Sequence, residues 1–233
     1  MIPSVLGEQV RRGIREFLLT TFPVTNPWFA RSLENLLDEP GQVFRGPYVS
    51  LKLPFTKSGS NKHFFPEVVP RGFQPHAHQE AAWERLDWRV GKSTVVATGT
   101  GSGKTECFLF PILDYCYAQR SQPGIKAIII YPMNALATDQ AKRLAKAVWR
   151  NDKLRGRISA GLYLGEPDGS NSDAMSETQI VVSRTAMRNR PPDILLTNYK
   201  MLDYLLLRQK DAGLWERNSA ETLRYLVVDE FYV

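Results

Sequence analysis

Eight residues, Thr98-Gly99-Thr100-Gly101-Ser102-Gly103-Lys104-Thr105, place three glycines, an ammonium group and several hydroxyls at a spacing suited to holding phosphate. The glycines let the backbone curl so that several N–H groups face one anion. Before them lies the β-branched run Ser93-Thr94-Val95-Val96-Ala97, and after them the helical pattern Glu106 to Leu113. The motif carries meaning only in such a strand–loop–helix setting. A helix starting at the loop would aim its positive dipole end at the same anion. In this reading Thr100, Gly101, Ser102 and Gly103 cradle the phosphates. Lys104 reaches the β- and γ-phosphates, and the Thr105 hydroxyl ligates Mg²⁺. The bland alternative is a flexible Gly/Ser linker, but Gly-Lys-Thr between an apolar strand and an apolar helix is foreign to linkers.

A phosphate loop binds phosphate without hydrolysing it; hydrolysis needs a carboxylate near the metal and a group that orients water. Leu226-Val227-Val228-Asp229-Glu230 offers both at the end of an apolar strand. Asp229 would hold the hydrated Mg²⁺ with Thr105, and Glu230 would serve as general base, so Lys104, Asp229 and Glu230 form the expected catalytic group. An Asp-Glu pair after a strand is common and often only a solvated turn. Its pairing with a phosphate loop on an earlier parallel strand favours the catalytic reading.

The elements that must position these groups alternate from Pro75 onward. Expected helices are 76–90, 104–118, 134–149 and 199–208; expected strands are 93–97, 125–131, 158–164, 193–197 and 225–228. Near-continuous apolar strands such as Ala127-Ile128-Ile129-Ile130 belong to parallel sheets covered on both faces. The predicted fold class is therefore α/β: a mostly parallel, doubly wound sheet with its ligands at the carboxyl ends of the strands. Residues 1–70 read as an N-terminal helical and irregular extension, with two helices up to about Leu37, the second opened by Pro27, and one strand at Tyr48 to Leu53. Residues 71–233 read as the α/β domain.

Composition narrows the rest. The chain has 233 residues, 43% hydrophobic and 23% charged, with a formal net charge of +6 that suits a polyanion partner without requiring one. No apolar run of about 18 residues is present, so no membrane partner is expected. Glu8 and Arg11-Arg12 arrive too early for a signal peptide, which points to a cytoplasmic location. Cys107 and Cys116 share one predicted helix and read as packing residues, and His63, His76 and His78 show no metal-ligand spacing. No metal site made of protein ligands alone is expected.

With these motifs on one chain, the sequence resembles the first RecA-like domain of a superfamily 2 helicase of the DExH/DEAD-box, P-loop kind. Gly72-Phe73-Gln74-Pro75-His76-Ala77-His78-Gln79 resembles the adenine-reading Q motif, which implies that the Gln79 amide reads adenine and that the nucleotide is ATP. Helicases often carry a small residue where Thr98 replaces the first glycine of the general loop. Tyr131 to Gln140 resembles motif Ia, Leu162 to Glu166 a short glycine motif, Pro192 to Leu202 motif Ib, and Asp229-Glu230 motif II. The wording of Tyr131-Pro132-Met133-Asn134-Ala135-Leu136 and of Leu195 to Leu202 is similar to the YprA/MrfA branch of bacterial DNA-repair helicases and to related phage-defence helicases.

The resemblance implies that Met133, Asn134, Gly165, Thr197 and Asn198 grip the phosphates of one nucleic-acid strand without regard to base, with DNA favoured over RNA. Asn134 and Asn198 read otherwise as helix caps. Arg184, Arg188 and Arg190 add positive charge just before motif Ib and read as a solvated loop, with a DNA contact as the alternative. The resemblance also implies that a second RecA-like domain, its arginine finger and a motif III strand lie beyond Val233, that strand falling between the phosphate-loop strand and the motif II strand. Tyr232 stands where the family has Asp or His. The expectation is a fragment of a longer helicase that folds poorly alone, binds nucleotide weakly and turns it over little. Two alternatives are an RNA helicase domain and a non-catalytic nucleotide-binding module of a defence or repair complex.

Overall fold

The computed structural model describes residues 3–29, 31–39, 41, 45, 54–60, 62–99, 101–165 and 172–230. The chain forms two compact units, Met1–Pro54 and Phe55–Val233. The expected strand at 48–53 lies outside the described residues.

The first unit contains helix α1 (Pro3–Thr21) and helix α2 (Ser32–Asp38). They are tied by an ion pair between Arg15 Nε and Asp38 Oδ1 at 2.9 Å. Pro27 opens only a 3-10 turn, Pro27–Phe29, rather than the second helix, which starts at Ser32. The Asn26 side-chain oxygen accepts from the Trp28 N–H and holds the chain in a turn there.

The second unit runs α3 (Ala77–Leu86), α4 (Lys104–Ala118), β1 (Ala127–Tyr131), α5 (Asn134–Trp149), β2 (Ala160–Tyr163), α6 (Arg184–Asn189), β3 (Ile194–Asn198), α7 (Tyr199–Leu207) and β4 (Tyr225–Val228). A 3-10 segment, Gln209–Leu214, follows α7. The four strands form one all-parallel sheet in the order β2-β3-β1-β4. Period-two alternation divides β1 between the faces. Ala127, Ile129 and Tyr131 join the core made by α4 and α5 through Ile112, Leu113, Ala141, Leu144 and Val148. Ile128 faces the opposite core of Leu195, Met201, Leu205, Met187 and Leu214. Helices therefore cover both faces, as the apolar strand runs require. Cys107 and Cys116 are free and buried in α4, where burial raises the Cys107 thiol to about 11.

One expected strand is missing. Residues 93–97 adopt no strand, and Val95 is 94% exposed. β4 pairs only with β1 among the described residues, and Leu226 and Val228 on it remain 62% and 51% exposed. A strand forms only when a neighbour takes its backbone groups, and the 93–97 run has none among the described residues. The segment is anchored at one end by Arg85, which donates to the Ser93 carbonyl at 3.0 Å and to Thr94 Oγ1 at 3.2 Å. Near the same end Arg224 donates to the Trp88 carbonyl at 2.6 Å. Among the described residues no helix is long and apolar enough to cross a membrane.

Candidate nucleotide and nucleic-acid sites

The loop before α4 has the conformation its glycines were expected to supply. Gly101 and Gly103 both have φ of +77°, the left-handed region that L side chains rarely adopt. Gly103 is the N-cap of α4, so Lys104 and Thr105 form its first turn, where backbone N–H groups have no helical partner. A Cβ on Gly103 would sit 2.4 Å from Gln79 Nε2, and one on Gly101 would meet nothing within 4 Å. The Ser102 side chain is buried and shares a 2.6 Å hydrogen bond with Thr98 Oγ1. Lys104 Nζ donates to the Thr98 carbonyl at 3.3 Å. Thr100 lies outside the described residues.

Helix α3 braces this loop. Gln79 is only 2% exposed; its Nε2 donates to the Gly103 carbonyl at 3.1 Å and its Oε1 accepts from the His76 N–H at 2.9 Å. Both functions of the amide are thus engaged within the protein. The His78 ring nitrogen Nε2 lies 2.9 Å from the Ser102 carbonyl, and Trp83 Nε1 donates to the Glu106 carbonyl at 3.0 Å. His78 and Trp83 were not singled out as site residues; their 24- and 23-residue separations from their partners leave no sequence signal.

Asp229 and Glu230 follow β4 directly. The Asp229 N–H donates to the Ile130 carbonyl at 3.0 Å and prolongs the β1–β4 pairing. Burial raises the Asp229 carboxyl above its ordinary value; the Glu230 N–H, at 3.0 Å from Oδ1, and the Lys104 and Arg143 charges act the other way. The Lys104 charge, 125 positions away in the sequence, is among those that lower the Asp229 value. Glu230 has φ of +53°, a bend that turns the chain sharply at the strand end. Arg143 on α5 is a further cation at this site, held 3.5 Å from Glu106 Oε1. It belongs to none of the motifs, and only the fold brings it to Asp229.

The expected nucleic-acid residues gather at the carboxyl ends of β2, β3 and β1. Asn198 caps α7, its Oδ1 accepting from the Met201 N–H at 2.8 Å, while its Nδ2 donates to Asn134 Oδ1 at 2.7 Å. Asn134 is not a cap: Met133 holds that position in α5, without a side-chain hydrogen bond. Gly165 lies against α7, a Cβ there falling 3.6 Å from Met201 Sδ. Met133 is 63% exposed. Thr197 is fully buried and donates to the Tyr163 carbonyl at 2.8 Å, so its hydroxyl is turned away from solvent.

Comparison with known proteins places this arrangement. Residues 76–231 match the DEAD/DEAH box helicase family. Druantia protein DruE of Escherichia coli (strain UMEA 4076-1) is 25% identical, over 96% of this chain and 18% of that protein. The uncharacterized ATP-dependent helicase YprA of Bacillus subtilis (strain 168) is 28% identical, over 67% of this chain and 18% of its own length. A crystal structure of the DUF1998 helicase MrfA bound to DNA and AMPPNP matches with a TM-score of 0.50 and 27% identity, over 68% of this chain and 19% of that one. The chain thus spans about a fifth of the length of the relatives it matches. Its parallel sheet wrapped by helices agrees with a RecA-like fold, and with a family match over most of the second unit the chain belongs to the DEAD/DEAH box helicases.

Proposed function

We propose that the Phe55–Val233 unit is the ATP-binding RecA-like half of an ATP-dependent nucleic-acid helicase or translocase, with DNA as its preferred strand. The observation that carries this reading is the left-handed glycine turn that puts Lys104 in the first turn of α4, with Asp229 directly at the end of the parallel strand β4. The residues suit Mg–ATP. The N–H groups of the loop and of the first turn of α4 would take the β- and γ-phosphates, and Lys104 would move from the Thr98 carbonyl to the γ-phosphate. The Thr105 hydroxyl and the Asp229 carboxylate would hold Mg²⁺, which when bound offsets charge on the phosphates. Glu230 would take the proton of the attacking water. Gln79, engaged at the loop, would report the loop's state to α3 and read adenine only after releasing one of its two partners.

The nucleic-acid half rests on the paired starts of α5 and α7, which Asn198 and Asn134 hold side by side. Helix starts offer N–H groups to phosphate irrespective of base. DNA as the strand is supported by the 27% identical MrfA, whose structure contains DNA. The 93–97 segment, unpaired among the described residues, favours a second reading for the chain by itself, nucleotide binding with little turnover, as a module within a larger assembly.

Titration of a fluorescent ATP analogue with and without Mg²⁺ tests the proposal. Saturable, Mg²⁺-dependent binding that Lys104→Ala removes is expected, with tighter binding of single-stranded DNA than of RNA of the same sequence. Binding that Lys104→Ala leaves intact would overturn the nucleotide assignment.

A further inference from the structure

Arg184, Arg188 and Arg190 look alike in sequence, as one basic stretch before β3. The fold gives them three different situations. Arg188 forms an ion pair with the fully buried Asp211, Nη2 to Oδ1 at 2.7 Å, so its charge is consumed. Arg190 is exposed and lines a hollow with Arg157, Gly124 and Asp193, at the opposite, amino ends of the strands. Arg184 alone sits at the carboxyl end of β2.

There its Nη2 donates to two backbone carbonyls, Leu164 and Gly165, each at 2.8 Å. Its guanidinium lies over the Tyr163 ring, 5.2 Å from the centroid. That ring is fixed: it is 1% exposed, and its hydroxyl donates to Asp211 Oδ1 at 2.8 Å. Arg188 approaches the same hydroxyl at 3.3 Å. Among the described residues Arg184 has no carboxylate partner, and its Nε and Nη1 make no hydrogen bond.

We infer that Arg184 is a phosphate-contacting residue of the nucleic-acid site, seated on β2 by the Leu164 and Gly165 carbonyls and by the Tyr163 ring. This rests on the nucleic-acid reading given under Proposed function. The physical reason is polarity. The end of a parallel strand presents carbonyl oxygens, which repel phosphate. Arg184 covers two of them with one nitrogen and turns an acceptor edge into a donor edge, with no carboxylate partner among the described residues. Gly165, which it holds, lies against the first turn of α7, and Asn198 there bonds Asn134, so a strand gripped by the two helix starts passes beside this guanidinium. The Tyr163–Asp211–Arg188 cluster is the support that fixes the ring beneath Arg184.

The test is fluorescence anisotropy of a labelled oligo-dT strand on the full 233-residue chain, between about 50 and 200 mM salt. Arg184→Gln is expected to weaken binding about tenfold at low salt and to reduce the slope of log K against log salt by about 0.7, one phosphate contact on a single strand. Arg190→Gln, which removes the same charge from the far end of the sheet, is expected to leave the slope unchanged. Equal slopes for the two variants would overturn the Arg184 assignment. Absence of any salt-dependent binding by the unmodified chain would instead overturn the nucleic-acid reading beneath it. Should Arg184→Gln not fold, phenylglyoxal labelling of the unmodified chain decides: oligo-dT should protect Arg184 and not Arg190, and equal labelling of both overturns the inference.

Discussion

Gly103→Ala probes the bracing of the phosphate loop with a single methyl group. At φ of +77° an alanine costs about 1–2 kcal/mol through its own backbone. Its Cβ would also fall 2.4 Å from Gln79 Nε2, so the amide must leave. That loses the bonds to the Gly103 carbonyl and the His76 N–H, each contributing about 0.5–1.5 kcal/mol. The expected loss is about 2–5 kcal/mol. Gly101→Ala is the matched control, because Gly101 has the same φ and nothing within 4 Å of its Cβ; only the backbone cost of about 1–2 kcal/mol applies. At about 2–4 °C per kcal/mol for a domain of this size, thermal melting followed by circular dichroism should place Gly103→Ala about 2–12 °C below Gly101→Ala. Adding Gln79→Ala to both should narrow the gap, since it removes the clashing group. Equal midpoints for the two glycine variants would refute the argument that α3 braces the loop through Gln79.

Asp229→Asn should raise the melting midpoint at neutral pH while weakening Mg²⁺-dependent nucleotide binding, because burial raises this carboxyl and its ionised form burdens the fold. The stability gap to the unmodified chain should be absent below the unfolded value of about 3.8, open as pH rises through the folded value, and stay constant above it; melts across pH read this directly, and a gap that widens on acidification would contradict it. Asn198→Ala should cost about 1 kcal/mol as a lost cap and also weaken oligo-dT binding, since the same side chain holds α7 beside α5; denaturant titration with anisotropy separates the two effects, and lost stability with intact strand binding would remove the helix-start site. Ile128→Ala should cost about 2–5 kcal/mol and Leu226→Thr well under half of that, because Ile128 is 3% and Leu226 62% exposed; comparable losses in urea unfolding would show that the outer edge of β4 is covered.

Sequence patterning was most legible where an element carries its own signals. The Ala- and Lys-rich run gave α5 at Asn134–Trp149, and the apolar run before the acidic pair gave β4 at Tyr225–Val228. Residues 93–97 carry equally strong strand character and form none, because strand formation depends on a neighbour that propensity cannot report. β1 starts at Ala127 rather than at Ile125 because Asn218 Oδ1, 93 positions away, takes the Ile125 N–H. The short α6 was not foreseen: its cap is Ser183, accepting from the Ala186 N–H at 3.3 Å, within a stretch whose basic composition suggests a solvated loop. For the same reason Arg184 and Arg188 could not be told apart, since the partners that separate their roles, Leu164, Gly165 and Asp211, lie about 20 residues away. Motif spacing did nominate Lys104, Asp229, Asn134 and Asn198, but not that Thr197 turns inward or that the Gln79 amide is already engaged.

The central claim is that Lys104 and Asp229 act on one magnesium-bound triphosphate. A double-mutant cycle on Mg–ATP affinity tests it most directly, using Lys104→Ala, Asp229→Ala and the double variant. Each single change should weaken binding by about tenfold or more, and the double variant should bind scarcely worse than the weaker single, as for groups sharing one ligand. Losses that simply multiply, or binding that survives either change, would contradict the account.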